Sequence, residues 1–202
     1  MIQTKKDLAE YIAADNSWYQ PKSRKMRMID AFTSAPYYVL KQYLTYLRKY
    51  EYYLNNSKGS RRNTYLAIYY ERKKNRLGEK LGIEIGPNCF GKGLSIWHAG
   101  SIVVNPNVRA GEYCVLHGAN CIGNNGKTKH HPVLGDRVEL GFGAVIIGGV
   151  SVASNTVIGA NAVVNRSIED EGCTYVGVPA KKVRKESETP QASRNTAEYR
   201  KS

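Results

Sequence analysis

The second half of the sequence has a period of six residues. Counting in sixes through residues 133–167 reaches only aliphatic residues: Leu134, Leu140, Ile146, Val152, Ile158 and Val164. The positions four residues after the first five are small or β-branched: Val138, Ala144, Val150, Thr156 and Ala162. Neither an α-helix, at about 3.6 residues per turn, nor a simple strand, at about two, produces this spacing. The pattern predicts a parallel β-helix, in which each six-residue unit forms a short strand and a corner.

The same frame continues towards the N-terminus through Ile122, Leu116, Ala110 and Val104. It slips before His98, and we interpret residues 85–91 as a first, imperfect coil. Between residues 123 and 132 the pattern gives way to a polar stretch. Because this stretch has no apolar residue to bury, we predict an excursion loop that leaves the coils on either side undisturbed.

Residues 1–81 lack the six-residue period and have the pattern of helices. Thr4 and Asp7 resemble a capping box that opens a helix over residues 4–15. The dipeptide before Pro36 opens the strongest amphipathic helix, since proline is favoured in a first turn. We predict a third helix over about residues 60–81, and we assign no structure to the basic residues 18–33.

These patterns divide the chain into three parts. We predict an α-helical region over residues 1–81, a β-helix over residues 82–184, and a polar tail over residues 185–202 that we expect to be disordered. The fold class is therefore mainly β, with helices preceding the β-helix.

Composition limits the class of protein. The formal net charge of +13 would suit nucleic acid, an anionic membrane surface or a phosphate-bearing cofactor, and charge alone does not separate these. No apolar run approaches the roughly 18 residues of a membrane-spanning helix, and no charged-then-apolar leader opens the chain, so we expect a cytoplasmic protein. The four cysteines, which show no CxxC spacing, are expected to be reduced and buried: Cys89, Cys114, Cys121 and Cys173.

Histidines interrupt the β-helix at three positions: His98, His117 and the pair His130–His131. A strict frame would bury His98, which would cost free energy with no visible gain, so we expect a local distortion that turns it outward. His117 follows a core leucine and comes about one coil after His98. This spacing allows the two to meet within one chain or across an interface.

Five stretches occur in a specific order: 91–105 (GKGLSIWHAGSIVVN), 130–135 (HHPVLG), 140–144 (LGFGA), 158–164 (IGANAVV) and 176–181 (VGVPAK). Together they resemble the hexapeptide-repeat acyltransferases, within these the serine acetyltransferase family, and especially its capsular-polysaccharide O-acetyltransferase relatives. The block from Ile85 to Val183 that carries them is roughly half of the chain. The resemblance implies a left-handed β-helix, a homotrimer, and active sites in clefts between adjacent subunits.

The resemblance also implies catalytic roles. The family's general base lies in the matching His-Ala-Gly context, which is His98 here. A neutral imidazole, with a pKa of about 6.5, can accept a hydroxyl proton while the oxygen attacks the thioester of acetyl-CoA. Backbone amides would stabilise the oxyanion. The family's second histidine falls on His131, and His117 resembles a histidine common in the capsular relatives. No metal is required.

Two positions depart from the family pattern. The acidic residue before the base is Trp97 here, and the arginine before the second histidine is His130. Both are poor groups for holding a zwitterionic amino acid. We therefore predict a sugar or polysaccharide hydroxyl as the acceptor, with Trp97, Lys129 and His130 on the acceptor side. Serine, the acceptor in cysteine biosynthesis, is the alternative. The nearest match to the carboxylate that orients the base is Glu84, one position out of register.

For the donor, the resemblance places the pantetheine arm of acetyl-CoA along Gly141, Phe142, Gly143 and Ala160. Small residues let a backbone approach an extended arm closely, although Phe142 is larger than the usual residue. Three basic residues near the end of the β-helix would bind the cofactor phosphates: Lys181, Lys182 and Arg184.

Two other functions stay open. The three histidine positions would suit a zinc enzyme of the γ-carbonic-anhydrase kind, which uses the same fold, although their spacings do not obviously converge. A basic scaffold with tyrosine-rich helices would bind RNA or a membrane face, although it would have no use for the histidine-bearing loop. We therefore predict an acetyl-CoA-dependent O-acetyltransferase with no nucleic-acid partner, and peripheral membrane association stays open.

Overall fold

The computed structural model describes residues 1–19, 23–126 and 129–185. Of these, Arg184 and Lys185 are described by their backbone only. The N-terminal region contains the helices α1 (Lys5–Asn16), α2 (Arg24–Phe32), α3 (Pro36–Asn55) and α4 (Arg61–Leu81). No helix among the described residues is long and apolar enough to cross a membrane.

Short strands after α4 wind into a coil with three faces. Face A contains β1 (Ile83–Ile85), β3 (Ile102–Val104), β6 (Cys121–Gly123), β9 (Val145–Ile147) and β12 (Val163–Val164). Face B contains β4 (Arg109–Ala110), β7 (Val133–Leu134) and β10 (Ser151–Val152). Face C contains β2 (Ser95–Ile96), β5 (Val115–Leu116), β8 (Glu139–Leu140), β11 (Val157–Ile158), β13 (Cys173–Val176) and β14 (Lys181–Lys185). Only β14 pairs antiparallel among these described strands.

The pairing register explains the six-residue period. On face A, Ile146 pairs with Val164, 18 positions later, so one coil contains three six-residue units. Ile122 pairs with Ile146, 24 positions later, because the excursion loop adds six residues between β6 and β7. The aliphatic column lies inside the coil, where its members are 0–3 % exposed. The predicted β-helix with a preceding helical region is confirmed.

The predicted helices are found close to their expected bounds. In α1 the Asp7 amide donates to the Thr4 hydroxyl over 3.1 Å, and the Thr4 amide donates to the Asp7 carboxylate over 2.9 Å. Helix α2 falls in the segment that the sequence left unassigned. Ser23 caps its first turn by accepting a hydrogen bond from the Met26 amide, and Asp30 is its only buried residue.

Two predicted features lie partly outside the described residues. The excursion loop leaves between β6 and β7 as expected, but residues 127–128 are not described. Of the predicted tail, only Lys185 is described, as the last residue of β14, and residues 186–202 lie outside. The four cysteines are free thiols, and three of them are buried.

A buried ionic cluster joins the helices to the first coil. The Arg48 guanidinium on α3 is fully buried and donates to the Asp15 carboxylate on α1 over 2.7 and 3.3 Å. It also donates to Glu51 Oε2 over 3.0 Å, and to the carbonyl oxygens of Phe90 and Gly91 over 3.0 and 2.6 Å. All five N–H donors of the guanidinium therefore have acceptors.

The same cluster caps the exposed edge of the β-helix. The second carboxylate oxygen of Asp15 accepts hydrogen bonds from the amides of Gly93 and Leu94 over 2.7 and 3.0 Å. The Tyr19 hydroxyl accepts from the Ile96 amide over 3.0 Å and donates to the Ile96 carbonyl. Strand β2 is an edge strand, and a solenoid needs such a cap at its end.

Replacement of Arg48 tests this cap. Arg48→Met would leave the carboxylates of Asp15 and Glu51 buried without their cation, so we expect the free energy of unfolding to fall by about 3–5 kcal/mol. Urea unfolding followed by circular dichroism at one protein concentration measures the change. Arg62→Met, at an exposed position of α4, is the matched control. Equal unfolding midpoints for the two variants would contradict this account of Arg48.

Candidate active site

The residues that follow face C meet at one corner of the coil. Ile96, Leu116, Leu140 and Ile158 lie side by side in parallel register. The next two residues of each coil therefore stack at the same corner, which we name the His98 corner: residues 97–98, 117–118, 141–142 and 159–160. It contains two of the predicted catalytic histidines and three of the predicted donor-binding residues.

His98 is exposed at this corner, in the outward position expected from the sequence. Gly118, on the next coil, lies between it and the ring of Phe142. A Cβ atom at Gly118 would lie 3.3 Å from the Cβ of His98 and 3.2 Å from the ring of Phe142, and the φ of Gly118 is +130°. Glycine is therefore needed for His98 and Phe142 to pack this closely.

Beside His98, three side chains form a ladder across the outer surface of face C. The rings of Trp97 and His117 stack with centroids 4.1 Å apart and planes inclined by 26°. His117 Nε2 lies 2.8 Å from Glu139 Oε1, which comes from β8 on the following coil. We name Trp97, His117 and Glu139 the ladder. Trp97 contacts one face of the His117 imidazole and Glu139 contacts its Nε2, so the two neighbours together fix the orientation of the ring.

Sequence analysis missed Glu139. It precedes the core residue Leu140 and follows His117 by 22 positions, because the excursion loop lengthens this coil by six residues. If the six extra residues of the loop are subtracted from the spacing of 22, Glu139 lies on the coil next to His117. The sequence spacing, corrected for the loop, was therefore the signal that could have identified Glu139.

Glu84, the nearest match for an orienting carboxylate, lies elsewhere. It is on β1 in face A, paired with Val103, in a groove of about 560 Å³ between α4 and the coil. Within the described parts of the chain, neither Glu84 nor any other carboxylate is hydrogen-bonded to His98.

The histidines of the excursion loop lie at a different corner, between faces A and B. His131 Nε2 is 3.3 Å from Asn107 Nδ2, and the Cβ of His130 packs against Gly149 on the following coil. Lys129 and His130 are exposed. One chain therefore brings His98 and His117 together but leaves His130 and His131 at another corner, and it does not gather all the histidine positions into one centre.

The glycines assigned to the donor have a second role in coil packing. A Cβ at Gly141 would lie 2.7 Å from the backbone nitrogen of Ala160, so the coils themselves require glycine there. Gly143 has a φ of +73°, which also favours glycine. Phe142 is 53 % exposed, and Ala160 is exposed too. A pantetheine arm would therefore meet the phenyl ring at this corner.

The basic residues near the end of the coil differ from one another. Lys182 Nζ lies 2.9 Å from Asp170 Oδ2, and this hydrogen bond raises the pKa of Lys182 above its usual value. Lys181 is exposed and has no ion pair within the described residues. The side chain of Arg184 lies outside the described residues.

Two buried thiols are poor nucleophiles. Burial raises the pKa of Cys89 to about 11 and that of Cys114 to about 12, so both are protonated near neutral pH. Histidine is therefore the better candidate for the reactive group of this domain.

Comparisons with known proteins agree with this architecture. Residues 131–166 match the family described as bacterial transferase hexapeptide (six repeats). The serine acetyltransferase of Synechococcus elongatus is 35 % identical over 103 residues, which are 50 % of this chain and 42 % of the relative. That of Helicobacter pylori is 38 % identical over 108 residues, 52 % of this chain and 63 % of the relative. The matches span about half the length of these curated relatives.

Solved structures extend the likeness to the helical region. The serine acetyltransferase of Neisseria gonorrhoeae has a TM-score of 0.66 and 27 % identity, over 92 % of this chain and 69 % of that one. A structure of the same enzyme in complex with serine has a TM-score of 0.64 and 25 % identity, over 89 % and 70 % of the two chains. The coil is thus a left-handed β-helix.

The prediction of a sugar or polysaccharide acceptor is wrong. The relatives and structural neighbours are serine acetyltransferases, which favours the alternative given above. The structure supplies a physical reason for the error, since one face of the Trp97 ring, assigned to a sugar, is already stacked on His117. None of these matches shows a particular closeness to capsular-polysaccharide enzymes.

Motif, relatives and fold therefore agree: the chain is similar to the hexapeptide-repeat acyltransferases, and to the serine acetyltransferases among them.

Proposed function

We propose that this chain transfers an acetyl group from acetyl-CoA to the hydroxyl of serine, with His98 as the general base. The observation that carries the proposal is the exposed imidazole of His98, in the family's His-Ala-Gly context, at a corner of a β-helix related to serine acetyltransferases. The neighbour from Neisseria gonorrhoeae with bound serine supports the choice of acceptor.

The reaction balances with a single base. The imidazole of His98 accepts the proton of the serine hydroxyl while the oxygen forms a bond to the thioester carbonyl carbon. Backbone amides stabilise the oxyanion of the tetrahedral intermediate. The carbon–sulfur bond then breaks, and the proton passes from His98 to the departing CoA sulfur. The products are O-acetylserine and CoA.

The donor would lie along the His98 corner and reach the end of the coil. Gly141, Gly143 and Ala160 leave the backbone accessible to the pantetheine arm, and Phe142 contacts it. Lys181 is available for a phosphate, whereas Lys182 would first have to release Asp170. Arg184 belongs to the phosphate-binding set on the resemblance alone.

We further propose a homotrimer with each site between two subunits, in the cytoplasm, where acetyl-CoA is available. The supporting observation is that His98 and His131 lie at different corners of one chain. A neighbouring subunit could supply His131, with Lys129 and His130 beside it, to the acceptor side of His98. In this arrangement the domains act together, the helices of residues 1–81 capping the coil of residues 82–184.

Replacing His98 tests the proposed chemistry. With acetyl-CoA and serine, the wild-type chain should release CoA, and His98→Ala should lower kcat on the order of a hundredfold or more, since a general base contributes about that much. CoA release followed with a thiol reagent measures both rates. Lys58→Ala is the control, because it removes an exposed side chain between α3 and α4 that has no part in the proposed site.

Unchanged kcat in His98→Ala would remove His98 from the mechanism. A wild-type chain that releases no CoA with serine, at any pH between 6 and 9, would overturn the proposed function. Light scattering of the variant against the wild type shows whether a lower rate reflects loss of assembly.

Mixing two inactive variants tests the position of the site. If His98 and His131 act from neighbouring subunits, co-refolded His98→Ala and His131→Ala chains should regain activity at roughly a quarter of their interfaces. CoA release before and after co-refolding measures the recovery. The control mixture contains His98→Ala and the double variant, in which no interface has both histidines. No recovery in the first mixture would contradict a site shared between subunits.

A further inference from the structure

Helix α2 presents large apolar side chains to solvent. Phe32 is 92 % exposed and Met28 is 68 % exposed, and Met26 and Ile29 are 45 % and 43 % exposed. Among the large apolar residues that the structure describes, Phe32 has the highest exposed fraction. Single exposed apolar residues are common, but a cluster of them with basic residues around it marks a site of interaction.

Three of these side chains share one side of the helix. Successive residues of an α-helix are about 100° apart, so Met28 and Ile29, four and three positions before Phe32, are its neighbours on the helix surface. Asp30, the only buried residue of α2, points to the opposite side from Phe32. We name Met28, Ile29 and Phe32 the Phe32 face. Within the described residues, α2 therefore packs through Asp30 and leaves the Phe32 face uncovered.

The surface around this face is positive. Arg24, Lys25 and Arg27 are all exposed, and the only carboxylate in the sequence of α2 is that of the buried Asp30. Lys41, on α3, lies near Arg27: burial, and then the charge of Arg27, lower the pKa of Lys41. Cations that already repel one another favour an anionic partner, so the partner of this surface must offer both negative charge and an apolar phase.

An anionic lipid bilayer offers both. Its headgroups attract basic side chains, and its acyl chains take up apolar side chains from a helix that lies in the plane of the interface. A nucleic acid would match the charge but not the aliphatic side chains of Met28 and Ile29. A symmetric contact between two copies of this chain would bring the same basic residues together, and they would repel.

We propose that α2 docks on an anionic membrane surface, with the Phe32 face inserted among the lipids and Arg24, Lys25 and Arg27 on the headgroups. The helix lies on the membrane and does not span it. It would attach the helical region to the lipid surface and so hold the β-helix close to it. This inference does not depend on the acceptor proposed above.

Vesicle binding of the full chain tests the docking. The wild-type chain should sediment with vesicles of phosphatidylcholine and phosphatidylglycerol in equal parts, and much less with vesicles of phosphatidylcholine alone. We expect Phe32→Ser to weaken binding to the mixed vesicles about tenfold, because it removes the largest apolar group of the face. Tyr65→Ser is the matched control, since Tyr65 is an aromatic residue that is 72 % exposed on α4.

A pair of charge variants separates docking through α2 from general attraction of a basic protein. Arg24→Gln with Lys25→Gln should weaken binding on the order of tenfold, since each basic residue near an anionic surface contributes. Arg61→Gln with Arg62→Gln removes the same charge from exposed positions of α4, and should weaken binding clearly less. Equal losses in the two double variants, or in Phe32→Ser and Tyr65→Ser, would overturn the proposal.

Insertion itself has a spectroscopic readout. In Phe32→Trp, the tryptophan emission should move to shorter wavelength on the mixed vesicles and should be quenched by brominated lipids more strongly than in the wild type, which contains only Trp18 and Trp97. No added quenching would contradict insertion of this face. Light scattering without vesicles tests the other occupant: a smaller mass for Phe32→Ser than for the wild type would place the face between copies of the chain and overturn the proposal.

Discussion

The buried guanidinium of Arg48 is the interaction on which the rest of this molecule depends. A β-helix ends in a strand whose backbone groups have no further coil to pair with. Arg48 and Asp15 satisfy those groups at Phe90, Gly91, Gly93 and Leu94. The cost of burying the charges is offset because both carboxylates and all five guanidinium donors are hydrogen-bonded. The helices therefore form the end cap of the coil and not a separate unit.

The cap also positions the candidate active site. Its last contact is the pair of hydrogen bonds between Tyr19 and the backbone of Ile96, and Trp97 and His98 follow directly. The number of residues in each coil then determines which side chains reach the site. Each successive coil places the two residues that follow its face C strand at the same corner. His117 and Gly118 come from the second coil, and Phe142 comes from the third. A rigid cap and a fixed register thus hold side chains that are distant in the sequence.

The six-residue period was enough to predict the coil, its excursion loop and the outward position of His98, because each coil repeats the same burial pattern. It could not predict the Arg48 cluster, whose partners lie 33 and 43 positions away in elements with different periods. It also could not predict the contact between His117 and Glu139, which depends on the exact length of the loop. The error over the acceptor had a similar origin: Trp97 was judged as an isolated ring, whereas one of its faces is covered by His117.

Identification of the product is the most direct test of the proposal that this chain acetylates the hydroxyl of serine. The purified full chain would be incubated with acetyl-CoA and isotopically labelled serine, and the reaction followed by nuclear magnetic resonance. We predict that the serine β-carbon signal moves to the position of O-acetylserine while CoA accumulates in equal amount. An unchanged serine spectrum, with acetyl-CoA either intact or merely hydrolysed, would contradict it.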